Sequence, residues 1–137
     1  MSVTRTSPAP ALLGAVAVGG AVGSLGRYAV GLALPHVTGA FPWATFGVNV
    51  TGSLAMGVLV AWVLSMVDPH PMLRPFLGVG VLGGWTTFSS FALDVHALSG
   101  AGRTGLALTY VLLSFSVSLV AIGTGLWLGQ RAFGDRR

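Results

Sequence analysis

The sequence predicts an all-α integral membrane protein with four transmembrane helices and a break in the third. Three observations predict it. The 137 residues are 53% hydrophobic and only 7% charged, whereas a soluble domain carries roughly a quarter charged residues. The apolar residues gather into four runs, each longer than the roughly 20 residues that a helix needs to cross a bilayer. The third run contains Gly80-Val81-Leu82-Gly83-Gly84-Trp85-Thr86-Thr87-Phe88-Ser89-Ser90-Phe91, with three glycines, two threonines, two serines and no charge. A helix through that stretch is expected to open and leave backbone carbonyls without partners. Lipid cannot satisfy those groups, so the break must face protein, an ion or a water-lined path.

Residues 1–10 (MSVTRTSPAP) read as a polar, proline-containing tail, expected to be disordered. The first span covers 11–34. Arg5 followed by an apolar stretch imitates a signal peptide, but the apolar character runs on to Leu34, and Arg27-Tyr28 stands where a removed segment would have ended. Pro35 to Pro42 connects to the second span, 43–67, and Asp68 to Pro71 connects to the third, 73–98. Ser99 to Gly102 leads into the fourth span, 104–130, which has no internal charge. Residues 131–137 form a basic C-terminal tail. Four spans with short loops make one helical bundle with both termini on the same side. Gly19 and Gly23, Gly80 and Gly84, and Gly125 and Gly129 are each four apart. Small residues at that spacing let helices pack closely, the reading favoured for the first and last pairs. For Gly83 and Gly84 the neighbouring threonines favour a functional break.

Charge and titratable groups exclude several functions. There is no cysteine, hence neither disulfide nor thiolate metal site, and there is no lysine or glutamate. The acids are Asp68, Asp94 and Asp135, and all seven basic residues are arginine. They are scattered at segment ends, without the clustered basic face that nucleic acid requires. His36, His70 and His96 are dispersed and make no metal site. No nucleophile–base–orienter set is present, so an enzyme is not expected. The tails and the second loop hold Arg5, Arg74, Arg131, Arg136 and Arg137, against Arg103 and the interfacial Arg27 on the other side. That asymmetry predicts cytoplasmic termini.

Two polar stripes run along otherwise apolar helices. Thr45, Asn49 and Ser53 recur every four residues in the second span, and Tyr110, Ser114 and Ser118 do so in the fourth. Residues four apart share a helix face. Serine and threonine are weak signals, because their hydroxyls often bond to the carbonyl one turn back. Asn49 is stronger, since its amide cannot satisfy itself and an intramembrane polar side chain marks a site. An interhelical hydrogen bond is the alternative. Phe88 and Phe91 sit three apart, on one face of the helix that resumes. These stripes carry donors without fixed charge, and aromatic rings add a positive rim. Such a surface suits a small anion that sheds water yet still leaves, because conduction needs moderate binding. Arg27 snorkels to the headgroups or draws anions to a vestibule. Asp94, a turn after Phe91, is expected to cap a helix or pair with an arginine. Trp43 fits an interface belt, and Trp85 is expected to pack inside the break.

From Gly14 to Gly129 the chain resembles the fluoride channels of the Fluc (CrcB-like) family. The resemblance rests on GGAVGSLGRY (Gly19–Tyr28), TFGVNVTGSL (Thr45–Leu54) and GGWTTFSSF (Gly83–Phe91), followed by Tyr110, Ser114 and Ser118. It implies a subunit that pairs antiparallel with a second one to give two fluoride pores. Asn49 resembles the family's pore asparagine, Phe88 and Phe91 its two pore phenylalanines, and Tyr110, Ser114 and Ser118 its polar track, with Thr87 beside them. Gly83 and Thr86 match positions whose backbone carbonyls hold a central structural sodium ion, which is not transported. Asp94 replaces a common glutamate, and Trp85 is bulkier than the usual residue before the threonine pair.

The implied function is passive, fluoride-selective export across the bacterial cytoplasmic membrane. A negative interior drives an anion outward by about 2.3 kcal/mol per 100 mV. Members that self-pair in both orientations are expected to have balanced charge. The arginine asymmetry therefore points to an oppositely oriented paralogue as partner, with an antiparallel homodimer as the alternative. Two rivals remain: a small multidrug exporter, which needs a buried acid that the first span lacks, and a non-conducting subunit of a heterodimer.

Overall fold

A computed structural model describes residues 9–134. Among these, four helical stretches are long and apolar enough to cross a membrane, and there is no strand. Helix α1 spans Ala9–Ala33 and α2 spans Trp43–Leu64. The third span opens with a π-helical segment, Arg74–Leu82, and continues as the short α3, Gly83–Trp85. After two extended residues α4 runs over Phe88–Gly100, and α5 covers Thr104–Phe133.

The helix ends differ from the sequence reading by a few residues, for local reasons. Ala9 and Pro10, assigned to the tail, already belong to α1. Proline lacks an N–H that the first turn has no use for, so it starts a helix without cost. Residues 1–8 of that tail lie outside the described residues. Helix α2 stops at Leu64 rather than 67. Ser65 N–H closes onto the carbonyls of Ala61 and Trp62, and its Oγ donates to Trp62 at 2.7 Å. Helix α4 reaches Gly100, and Gly102 takes a left-handed φ of 73° that lets Arg103 N–H reach the Leu98 carbonyl. Helix α5 extends three residues past the expected end. Arg131, assigned to the tail, is helical and lies 4.1 Å over the Trp127 ring. Residues 135–137 lie outside the described residues.

Glycine decides how the helices pair. Helix α1 lies along the π-helical segment and α3, while α2 lies along α5, which also receives α4. A Cβ at Gly23 would strike the Val81 carbonyl and the Trp85 nitrogen; one at Gly57 would strike the Ile122 carbonyl and Gly125. Both pairs therefore meet at backbone contact, which only small residues permit. Gly84 does the same, since its Cβ would strike the Gly20 carbonyl. This corrects its assignment to the break. Gly83 has no such neighbour, the nearest atom being the Gly78 carbonyl at 3.9 Å.

The most buried cluster lies between α4 and α5, where Phe91, Leu98, Ala107 and Tyr110 pack with Phe41 and Phe46 against them. Elsewhere the outer faces expose large apolar side chains such as Leu13, Val22, Leu112 and Leu119. An acyl-chain solvent tolerates such a surface, and water does not.

A polar groove beside the interruption of the third span

The interruption is local and well bonded. Thr86 has φ −75° and ψ 158°, and Thr87 has φ −150° and ψ 124°, both extended. Asn49 of α2 holds the second of them twice: its Nδ2 donates to the Thr87 carbonyl at 3.0 Å, and its Oδ1 accepts from the Thr87 N–H at 2.8 Å. In an unbroken helix that N–H would bond to the Gly83 carbonyl one turn back. The side-chain amide replaces it and leaves that carbonyl without its helical donor. Thr87 also starts α4, since its Oγ1 accepts from the Ser90 N–H at 3.1 Å. This is the N-cap role to which threonine is suited. Thr86 anchors the other side, its N–H and its Oγ1 both donating to the Leu82 carbonyl at 2.9 Å.

A groove of about 300 Å³ opens here. Asn49 and Ser53 of α2 line one side, and Ser114, Phe115 and Ser118 of α5 the other. Thr86, Thr87, Phe88 and Phe91 close it. Seven of the residues expected from the sequence thus meet in one place: Asn49, Thr86, Thr87, Phe88, Phe91, Ser114 and Ser118. Their lining contains no charged side chain. The Asn49 amide uses one of its two N–H groups on Thr87, which leaves one to donate. The Ser114 Oγ is buried without a hydrogen-bond partner among the described residues. A buried hydroxyl of that kind is costly unless something else accepts its hydrogen bond. Ser53 contributes less than its place in the stripe suggests, because its hydroxyl donates back to the Asn49 carbonyl at 2.9 Å.

The two phenylalanines differ. Phe91 is 9% exposed, with ring centroids 5.2 Å from Tyr110 and 5.8 Å, edge-on, from Phe115. Phe88 is 74% exposed, with Phe91 at 5.7 Å. One ring belongs to the wall and the other projects from it.

Other expected residues lie elsewhere. Tyr110 is fully buried outside the groove, and its hydroxyl donates to Asp94 Oδ2 at 3.3 Å. Asp94 was expected to cap a helix or meet an arginine; its partners are instead Tyr110 and His36, whose Nδ1 is 3.9 Å from Asp94 Oδ1. Arg27 and Thr45 line a second groove of about 410 Å³ with Ser24, Tyr28 and Ser90, and Thr87 touches both grooves. The stripe on α2 is thereby divided, with Thr45 on one side of Thr87 and Asn49 on the other. Gly83 lines neither groove. Among the described residues, no group of three or more His, Cys, Asp or Glu side chains gathers to bind a metal. Phe115 was missed in the sequence, because an aromatic residue inside an apolar run carries no periodic or polar signal.

A wall of uncharged donors without a carboxylate or guanidinium suits transient contact with a small anion. Comparison with known proteins agrees with that chemistry. Residues 14–126 match the family described as CrcB-like protein, Camphor Resistance (CrcB). A curated protein of Rhodospirillum centenum, named fluoride-specific ion channel FluC, is 53% identical over 119 residues, covering 86% of this chain and 94% of that protein. The FluC of Agrobacterium fabrum is 46% identical over 86% of this chain and 95% of its own. FluC 1 of Streptomyces coelicolor is 40% identical over 85% of this chain and 75% of its own.

Proposed function

Because the chain belongs to the CrcB-like family, we propose that it is a fluoride-selective channel that passively carries fluoride out of the cytoplasm. The observation that carries this reading is the uncharged, donor-bearing groove shared by Asn49, Ser114, Ser118, Phe88 and Phe91. Fluoride is small and strongly hydrated, so it gives up water only where donors replace it. The spare Asn49 N–H, the serine hydroxyls and the positive ring rims supply such replacements without a fixed cation that would trap the ion. Larger anions are less compact and gain less from donors set for a small ion. Efflux needs no coupling reaction, because the membrane potential supplies about 2.3 kcal/mol per 100 mV for each anion.

The working unit is an antiparallel dimer in the bacterial cytoplasmic membrane, with the termini cytoplasmic. The exposure of Phe88 supports this, since one subunit forms only part of a wall around that ring. The arginine asymmetry favours an oppositely oriented paralogue over a second copy as partner. Carbonyls of Gly83 and Thr86 hold a structural sodium ion at the dimer centre. Supporting this, Gly83 loses its helical donor to the Asn49–Thr87 pair, and Thr86 is extended. Opened carbonyls at helix interruptions suit an alkali cation. Bound there, the ion would supply positive charge that ties two interruptions together. This chain's own part is to hold the two carbonyls open.

Fluoride-electrode measurement of efflux from liposomes tests the channel. Rapid fluoride release with chloride retained is expected from the assembled protein, and no release with or without a partner subunit would overturn the reading. Purification of a single tagged chain tests the partner. A stable, conducting dimer of this chain alone would reject the paralogue.

A further inference from the structure

Trp85, the last residue of α3, lines neither groove yet reaches across to α2 beside them. Its indole Nε1–H donates to Thr51 Oγ1 of α2 at 3.0 Å. Thr51 in turn donates to the Gly47 carbonyl at 2.7 Å. A hydroxyl has one hydrogen and two acceptor sites, so giving its hydrogen to Gly47 leaves an acceptor site for the indole. The ring occupies space left by two glycines. A Cβ at Gly26 of α1 would come within 2.9 Å of the indole Cζ3, and one at Gly52 of α2 within 3.1 Å of its Cδ1. Gly52 leaves room for the Thr86 methyl group as well.

Three successive residues therefore dock on one short piece of α2: Trp85 through Thr51, Thr86 over Gly52, and Thr87 through Asn49. Positions two apart on a helix are separated by about 200° around its axis. The anchors at Asn49 and Thr51 thus grip α2 from different sides. The Asn49 pair holds the two peptides that flank Thr87 to one side of α2, and Thr86 is tied back to its own span through the Leu82 carbonyl. The Trp85–Thr51 bond adds a second tether to α2, two residues upstream.

Resting on the channel reading above, we propose that Trp85 is a positioning residue for fluoride conduction. Its hydrogen bond to Thr51 sets the direction in which Thr86 and Thr87 cross the interruption and Phe88 leaves it. Trp85 touches no ion. It acts through the backbone that the groove is built on.

Efflux and melting temperature measured on the same reconstituted preparations test this. Trp85→Phe loses the donor together with part of the ring that fills the space over Gly26 and Gly52. Thr51→Val keeps the shape and loses the acceptor, and Thr51→Ser keeps the hydroxyl. Trp85→Phe and Thr51→Val are each expected to slow efflux by about three- to tenfold, the scale of one hydrogen bond. Both should also lower the fluoride-over-chloride ratio; the melting temperature should stay unchanged in Thr51→Val and fall in Trp85→Phe, which also loses packing, and Thr51→Ser should conduct as the wild type does. The double variant should be no slower than the slower single one, because both remove the same bond. Wild-type efflux in either variant, additive losses, or losses that track the melting temperature with selectivity unchanged would overturn the proposal. A wild-type protein that releases no fluoride overturns the channel reading and this one together. A conducting wild type with fast variants overturns this one alone.

Discussion

Asn49 and Thr87, 38 positions apart in sequence, exchange two hydrogen bonds of 3.0 and 2.8 Å between a side-chain amide and a single residue's backbone. The amide copies the donor and acceptor of a neighbouring strand. It thereby allows two residues to be extended within a span whose backbone must otherwise satisfy itself. On the proposed channel reading, structure and conduction meet at this pair, since the same asparagine keeps one N–H for the groove.

Asn49→Ala should therefore do more than remove a donor. It leaves the partly buried Thr87 N–H and carbonyl unpaired, at a cost of about 1–3 kcal/mol for a buried polar group. Efflux is expected to fall to background and the melting temperature to drop, with the dimer still assembled. Asn49→Asp keeps the acceptor for Thr87 N–H but sets a carboxylate against the Thr87 carbonyl and places a negative charge in the groove. It should be more stable than Asn49→Ala only at acid pH, where the protonated carboxyl can donate, and it should not conduct at neutral pH. Thermal melts at two pH values, run with the efflux assay, check both statements.

The unequal burial of the two phenylalanines separates stability from flux. Phe91→Ala removes a ring packed on Tyr110 and Phe115 and should cost about 3–5 kcal/mol. Phe88 is mostly exposed in the single chain, so Phe88→Ile should leave the melting temperature of a dissociated subunit unchanged. In the assembled protein it should cut efflux at least tenfold. Equal destabilisation of the subunit by both changes would contradict this division.

Much of this was legible in the sequence, and the reason is specific. Four long apolar runs fix four spans because a bilayer admits few alternatives. The crowding of glycine, threonine and serine in residues 80–91 marked where the third span changes. The spacing of Asn49 and of Ser114 and Ser118 put each stripe on one face of its own helix, and the structure brings those faces to one groove. Tyr110 shares the α5 stripe with Ser114 and Ser118, yet its hydroxyl is taken by Asp94. A period of four cannot tell a side chain that faces a groove from one that faces the next helix. The Thr51 contact was hidden for a related reason: it lies two residues off the stripe and is used by a residue 34 positions away. Gly84 shows the opposite error, where a conspicuous motif drew attention from the neighbouring helix that its missing side chain admits.

The glycines divide into those that permit contact and those that do not. Gly57→Ala would drive a Cβ into the Ile122 carbonyl and close to Gly125, all backbone atoms that cannot swing away. Gly123 on the same α2–α5 pair has nothing within 4 Å of its Cβ position. Gly57→Ala should destabilise by about 1–3 kcal/mol through overpacking. Gly123→Ala should be neutral or stabilising by up to about 1 kcal/mol through helix propensity. Melting temperatures of the two variants in the same detergent decide it, and a similar response from both would mean that α2 and α5 do not meet at backbone distance.

The buried contact between Tyr110 and Asp94 makes the last prediction. Tyr110 is fully buried, with Phe41 edge-on at 5.3 Å, and its hydroxyl reaches a carboxylate that is only 15% exposed. Tyr110→Phe keeps the ring and its packing but takes one donor from that carboxylate. His36 Nδ1 then remains at 3.9 Å. The expected loss is on the order of 1.5–3 kcal/mol, the range for a hydrogen bond to a charged group. Because Tyr110 lies outside the groove lining, efflux per folded dimer should fall less than in Asn49→Ala. Asp94→Asn added to Tyr110→Phe removes the charge that had lost its donor. The double variant should therefore be more stable than Tyr110→Phe alone. Additive destabilisation would show that the two groups are not coupled, and a loss of efflux as deep as that of Asn49→Ala would put the tyrosine hydroxyl on the ion's path.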